Sequence, residues 1–184
     1  SSAKRQMDGY ITKIYDNGER INTKKYLTEE LSDNAVKFIE ENSESQFFLY
    51  LSYNAPHTPL QATTRDLERN NHIVKEERRK YAAMVTSMDD GIGLILDKLK
   101  EKNVFENTIV FFFSDNGGVE WYNHSDNGPL RGIKGDYFEG GIRVPFVMQW
   151  PKKIRKGIAY DKPIISLDIF ATIASAANAN SFIK

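Results

Sequence analysis

The amino-acid sequence predicts an α/β fold, a largely parallel sheet flanked by helices, on three observations. Two apolar runs, Phe-Phe-Leu-Tyr-Leu-Ser-Tyr at 47–53 and Thr-Ile-Val-Phe-Phe-Phe at 108–113, have the length and near-continuous hydrophobicity of strands buried on both faces. Between them, residues 77–100 carry a single apolar stripe at helical spacing. Loops bearing His57 and Asp115 leave the carboxyl ends of the two runs, where open parallel sheets hold their ligands and helix N-termini point their amides.

Taken in order, residues 10–15 and 19–22 read as a small peripheral hairpin around Asp16-Asn17-Gly18, because Asn-Gly accepts the positive φ of a tight turn. A helix is expected from Thr28, placed as its N-cap, with Glu29 and Glu30 in the positively polarised first turn and Leu31, Ala35, Phe38 and Ile39 on its apolar face. The strand at 47–53 follows. The stripe of the long helix is Tyr81, Met84, Val85, Met88, Ile92, Ile95, Leu96 and Leu99, interrupted only by Gly91 and Gly93. After the strand at 108–113, a third strand is expected at 144–150, closed by Pro151. A last helix is expected over 166–177, with Asp168 near its start and Ile169, Phe170, Ile173 and Ala177 apolar. No repeat or linker divides the chain, so one domain is expected over 1–184, with 1–25 peripheral and 26–184 forming the α/β core.

Composition narrows the function classes. Lysine plus arginine and aspartate plus glutamate both number 25, so no global field favours nucleic acid or an anionic membrane surface, and any anion site is local. No apolar run reaches the ~18 residues of an ordinary membrane span, and there is no cysteine for disulfides or thiolate metal sites. The chain opens Ser1-Ser2-Ala3-Lys4, with neither Met nor a signal peptide's apolar stretch, which leaves the compartment open.

Three segments carry the candidate chemistry. Asp115 and Asn116 offer adjacent hard oxygens at a strand end, suited to Ca²⁺ or Mg²⁺; the plainer alternative is an Asp-Asn-Gly turn whose side chains bond local backbone. His57 lies between Pro56 and Pro59, which restrict the backbone and can fix the direction of its ring; alternatively it satisfies only its own turn. Lys134 lies between Gly132 and Gly135, where missing side chains let an anion approach a compact ammonium; otherwise it is a solvated loop lysine. Arg131, Glu139 and Arg143 read as loop supports. Asp89 and Asp90 are adjacent on a helix, point about 100° apart, and read as structural, while His72 reads as surface. The stretch 120–126, with Trp121, Tyr122 and His124, either lines a substrate pocket, since aromatic faces pack on sugar or aryl rings, or is an ordinary exposed loop.

In order and spacing, Asn54-Ala55-Pro56-His57-Thr58-Pro59-Leu60-Gln61, Phe113-Ser114-Asp115-Asn116-Gly117-Gly118, and Gly128-Pro129-Leu130-Arg131-Gly132-Ile133-Lys134-Gly135 running on to Pro145 resemble the sulfatase family. The resemblance covers nearly the whole chain. It implies an alkaline-phosphatase-like fold and hydrolysis of an aryl or carbohydrate sulfate, with His57 contacting the sulfate and protonating the leaving oxygen, and Lys134 binding the sulfate. Asp115 and Asn116 would be half of a divalent-metal site, Ca²⁺ in a complete enzyme. The family's nucleophile is a formylglycine made from Cys or Ser followed by x-Pro-x-Arg, and that pattern is nowhere in the chain.

The chain therefore resembles the later part of a sulfatase domain, expected to be inactive alone and to hold metal weakly or not at all. The family's missing first strand would leave a sheet edge open, so a homo-oligomer, a dimer in its simplest form, is expected. Expected partners are a sulfated small molecule or carbohydrate, with no nucleic acid and no membrane. The alternatives are a noncatalytic anion- or sugar-binding remnant and a phosphoester hydrolase of the same superfamily.

Overall fold

A computed structural model describes residues 14–23 and 25–179. They fall into two compact units divided between Ile154 and Arg155. The first unit opens with the expected hairpin: β1 (Ile14–Asp16) and β2 (Glu19–Ile21) pair antiparallel, with Ile14 opposite Ile21. Asn17 and Gly18 both have positive φ, 49° and 87°, as the tight turn requires. Residues 10–13 of the expected first strand lie outside the described residues.

Two long helices build the core. Helix α1 (Leu27–Asn42) buries Thr28, Ser32, Ala35 and Ile39. Its N-cap is Tyr26, not the expected Thr28. Thr28 sits one residue inside the helix at 1% exposure with its hydroxyl unpartnered, so burial against the core rather than capping sets the start. Helix α3 (Glu76–Glu101), about 39 Å long, matches the expected long helix to one residue at each end and packs on α1.

The most buried side of α3 is not the large apolar stripe but Ala83, Met84, Ser87, Gly91 and Leu99. Small residues at 83, 87 and 91 recur every four positions and let the helices approach closely. A Cβ on Gly91 would stand 2.1 Å from Ser32 Oγ, which donates to Thr28 O at 2.7 Å and lies 2.8 Å from the Tyr53 hydroxyl. Nothing lies within 4 Å of a Cβ on Gly93, so its glycine has no packing reason.

Helix α2 (Thr64–Arg69), not anticipated in the sequence reading, is capped by Thr63, whose Oγ1 accepts from Asp66 N at 3.2 Å and donates to Asp66 Oδ2 at 2.7 Å. Asp66 is fully buried between Arg65 and Arg69. Its burial works to raise the carboxyl's pKa, but hydrogen bonds from Arg65, Thr63 and Arg69 outweigh it and hold the group below its ordinary value.

The expected strand at 47–53 forms no ladder. Its residues alternate half-buried and exposed, the period of an extended segment, and Phe48 and Tyr50 are 67% and 73% exposed. The segment is thus buried on one face at most, because no neighbouring strand among the described residues pairs with it.

The sheet direction also departs from expectation. Strands β3 (Val110–Phe113) and β4 (Phe146–Gln149) pair antiparallel, from Val110 opposite Gln149 to Phe113 opposite Phe146, so both ladders among the described residues are antiparallel rather than parallel. The connecting residues 114–145 hold only two one-turn helices, α4 (Glu120–Asn123) and α5 (Glu139–Ile142). Phe111, Phe113 and Phe146 meet on one face, while Phe112 and Val147 face each other, exposed, on the opposite one.

In the second unit, α6 (Ser166–Ala176) matches the expected last helix to one residue. The Asp168 carboxylate accepts from Ile165 N at 2.8 Å, the first-turn role read for it. Leu167 and Phe170 are exposed.

Candidate functional site

The end of β3 and the glycine-rich loop are locked together through backbone. Ser114 N donates to Pro145 O at 3.2 Å, extending the β3–β4 contact, and Gly117 N donates to Gly141 O at 2.9 Å. A Cβ on Gly117 would lie 1.7 Å from Gly140 O, and one on Gly141 would lie 2.4 Å from Asp136 O. Only glycine fits at these crossings. Gly140 N in turn donates to Arg131 O at 2.7 Å, closing the loop that carries Lys134.

Lys134 occupies the second position of a four-residue turn closed by Asp136 N donating to Ile133 O at 2.9 Å. Gly135 follows with φ +94°, the positive value a type II turn needs at that place. Asp136 Oδ2 accepts from Ile133 N at 3.0 Å and braces the turn from inside. The Lys134 side chain is exposed, and among the described residues no carboxylate pairs with it. The supports behave as expected: Arg131 lies over the Phe138 ring at 3.9 Å, and Arg143 pairs with Glu139 at 3.2 Å.

Asn127 is the hub that sequence reasoning missed. Its Oδ1 accepts from Gly118 N at 2.9 Å, and its Nδ2 donates to Gly118 O at 3.0 Å and to Gly132 O at 3.1 Å. Three bonds from one amide tie the Asp115 segment to the Lys134 loop and pinch 119–126 at its base. Asn127 N also donates to Glu120 Oε1 at 2.8 Å, and Arg78 on α3 donates to His124 O at 2.6 Å. The one local clue was the turn-forming Asp126-Asn127-Gly128.

Asp115 is exposed, and no hydrogen bond or ion pair engages its carboxylate among the described residues. Asn116 donates from Nδ2 to Gly117 O at 3.0 Å, and Ser114 Oγ donates to Asn116 O at 3.0 Å, so part of this segment is an ordinary local turn. His57 N donates to Asn54 O at 2.8 Å, and its Nδ1 lies 2.6 Å from Thr58 O. Since a carbonyl can only accept, Nδ1 carries the proton and Nε2 is the nitrogen left for a ligand. Tyr26 donates to Gln61 O at 2.7 Å and ties the far end of the histidine loop to the start of α1.

Asp115, Asn116 and Lys134 are thus brought into one backbone-linked unit. His57 is held separately by its own loop, and no hydrogen bond or ion pair among the described residues joins it to the other three. Asp90 pairs with Arg65 at 3.8 Å and with Arg69, and His72 is exposed, in keeping with their structural and surface readings.

As a metal site the donor set is incomplete. Ca²⁺ takes about six to eight oxygens, Asp115 and Asn116 supply two side chains, and the described residues hold no cluster of three or more acidic, histidine or cysteine side chains fit for an ion. These residues alone do not fit a full Ca²⁺ shell.

The sulfatase family model matches residues 3–179. The chain belongs to the sulfatase family. It is 34% identical over 168 residues to the sulfatase YdeN of Escherichia coli (strain K12), covering 90% of this chain and 30% of YdeN. It is 36% identical over 160 residues to the steryl-sulfatase of Homo sapiens, covering 83% and 26%. This sulfatase chain therefore spans less than a third of the length of those curated relatives. Among solved structures, Ps i-CgsB in complex with k-i-k-neocarrahexaose superposes with a TM-score of 0.88 at 39% identity, over 97% of this chain and 41% of that one. The putative sulfatase yidJ from Bacteroides fragilis, at 23% identity, shares the fold, with a TM-score of 0.76 over 91% and 41%. The sulfatase chain is accordingly part of an alkaline-phosphatase-like α/β fold.

Proposed function

We propose that this chain supplies the sulfate-gripping side of a sulfuric ester hydrolase acting on a sulfated carbohydrate. The observation that carries the proposal is the Lys134 turn. An unpaired ammonium is presented on a rigid turn whose loop is fastened by glycine-only crossings to the segment bearing Asp115 and Asn116. A backbone held in place keeps the base of a cationic side chain beside developing negative charge, which lessens the reorganisation needed during reaction. Within this proposal His57 meets the same sulfate ester: with Nδ1–H donated to Thr58 O, Nε2 is the ring nitrogen left to face the leaving oxygen, the placement of a general acid. The oligosaccharide in the name of the Ps i-CgsB complex supports a carbohydrate sulfate over an aryl one.

Asp115 and Asn116 would be two ligands of a divalent ion, Ca²⁺ by oxygen chemistry, completed by donors beyond the described set. When bound, such an ion polarises the ester oxygens. The covalent nucleophile is not among these 184 residues, which lack Cys or Ser followed by x-Pro-x-Arg, so the chain alone binds sulfate esters without turning them over.

The test is calorimetric titration of the chain with k-i-k-neocarrahexaose and with the same hexaose chemically desulfated. Charge-assisted hydrogen bonding at an exposed position predicts that Lys134→Ala lowers affinity for the sulfated form about tenfold, leaving the desulfated form unchanged. Equal affinity of Lys134→Ala and the unsubstituted chain for the sulfated hexaose refutes the assignment of Lys134. Aryl-sulfate turnover that survives repurification and disappears in Lys134→Ala refutes the statement that the chain alone is inactive.

A further inference from the structure

We propose that the pinched loop 119–126 is a sugar-stacking platform, in which Trp121 and Tyr122 bind the face of a glycan ring beside the anion-gripping loop. This rests on the carbohydrate-sulfate reading above and extends it from the sulfate to the sugar that carries or neighbours it.

Trp121 and Tyr122 are 75% and 59% exposed, with ring centroids 5.6 Å apart at 57°. Large aromatics left in water cost free energy unless something covers them, and a flat indole next to a phenol suits the apolar face of a pyranose. The helix that carries them is one turn long, yet it is held at three points. His124 N donates to Glu120 O at 3.0 Å, Arg78 on α3 clamps His124 O, and Glu120 Oε1 is fixed by Asn127 N. Ligand-binding aromatics are useful when their positions are set in advance, because less ordering is then needed on binding.

Residues flanking the pair, Glu120 on one side and His124, Ser125 and Asp126 on the other, line a cleft of about 270 Å³ together with Lys75 and Arg78. Its two cations and two carboxylates make it neither an anion nor a cation site, and mixed donors and acceptors are what sugar hydroxyls require. Ser125 Oγ is buried there without a hydrogen-bond partner. The volume is near the ~300 Å³ lower bound of small-molecule pockets, room for a single sugar unit rather than a chain. Continuity with the sulfate-gripping loop comes from Asn127, which bonds Gly118 at the base of the platform and Gly132 in the Lys134 loop with one amide. A sugar on Trp121 and a sulfate at Lys134 would therefore be registered against the same rigid hub.

The test titrates the full chain with k-i-k-neocarrahexaose and its desulfated form, read by calorimetry and by quenching of tryptophan fluorescence. Trp121→Ala should weaken both forms about tenfold, and Trp121→Phe should recover most of that loss. Lys134→Ala should weaken only the sulfated form. If Lys134→Ala has no effect while Trp121→Ala weakens both forms, the platform stands and the sulfate reading falls. If Trp121→Ala binds the desulfated hexaose as the unsubstituted chain does, or the unsubstituted chain binds neither hexaose at millimolar concentration, the platform is wrong. Because Trp121 is mostly exposed, its substitution should leave the urea midpoint unchanged, which separates lost binding from lost folding.

Discussion

Replacing Gly140 with alanine asks whether backbone crossings, rather than side chains, hold the Lys134 loop in place. The added Cβ would stand 2.2 Å from Gly132 O, 2.8 Å from Leu130 O and 2.9 Å from Arg131 O, where ordinary contact begins at 3.4 Å. All three neighbours are main-chain atoms, so no flexible side chain can swing aside, and the loop has to retreat by about 1.2 Å from Gly132 O alone. That retreat breaks the 2.7 Å bond from Gly140 N to Arg131 O. Overpacking costs about 1–3 kcal/mol and the lost bond about 1 kcal/mol, so the substitution should destabilise the chain by about 2–4 kcal/mol. Two other glycines calibrate the figure. Gly135→Ala meets open space but has to adopt φ +94°, which costs about 1–2 kcal/mol. Gly93→Ala meets open space inside α3 and should stabilise by about 0.5–1 kcal/mol. Urea unfolding followed by circular dichroism gives all three values. If Gly140→Ala costs no more than Gly135→Ala, the loop yields easily and the rigid Lys134 turn is refuted.

Asp66→Asn should cost about 1–3 kcal/mol at neutral pH, because two arginines lose a buried carboxylate. Since the folded-state pKa of Asp66 is depressed, its stabilisation is complete above the ordinary value of 3.8 and is lost as pH falls through the lower folded value. Urea midpoints of the two proteins should therefore converge as the pH is taken down through that depressed folded-state value; a gap unchanged at low pH contradicts the charge argument. Calorimetry of the chain with CaCl₂ should show no binding tighter than about 0.1 mM, in the range of weak oxygen sites; submicromolar binding would mean that the ligand set is fuller than Asp115 and Asn116. The exposed Phe112–Val147 pair and the unpaired 47–53 segment predict self-association into a dimer at micromolar concentration, and light scattering that finds only monomer counts against this.

What was legible in the sequence was local. The ends of α3 and the Asn17-Gly18 hairpin followed from periodicity and from one residue pair's tolerance of positive φ, and the flanking glycines marked Lys134 as a loop residue open to approach. Strand direction was not legible, because it depends on how 114–145 brings the chain back, and near-continuous apolar runs fit parallel and antiparallel partners alike. Phe47 to Tyr53 reads as a doubly buried strand, yet burial also needs neighbours that no local pattern supplies. Helix α2 was overlooked although Thr63 and Asp66 stand at capping spacing. Asn127 was invisible for a different reason: its partners Gly118 and Gly132 lie nine and five residues away, and only the folded loop brings them to one amide.

The glycine crossings at 117, 140 and 141 divide this region into two parts with opposite tolerance for change. At the crossings themselves there is no side chain to vary, and an added Cβ pushes directly on the backbone of the loop that carries Lys134. The other, 119–126, projects Trp121 and Tyr122 outward and is held by the Gly118–Asn127 clasp at its base, the Asn127–Glu120 bond, the Arg78 clamp and neighbouring α3. Such an arrangement behaves as a socket and an insert. A different stretch of similar length, spliced between Gly118 and Asn127 with a residue equivalent to Glu120 retained, could change which sugar is recognised without disturbing how the sulfate is held. Altered glycan preference should therefore be sought by exchanging this insert, and not by editing the glycine loop beneath it.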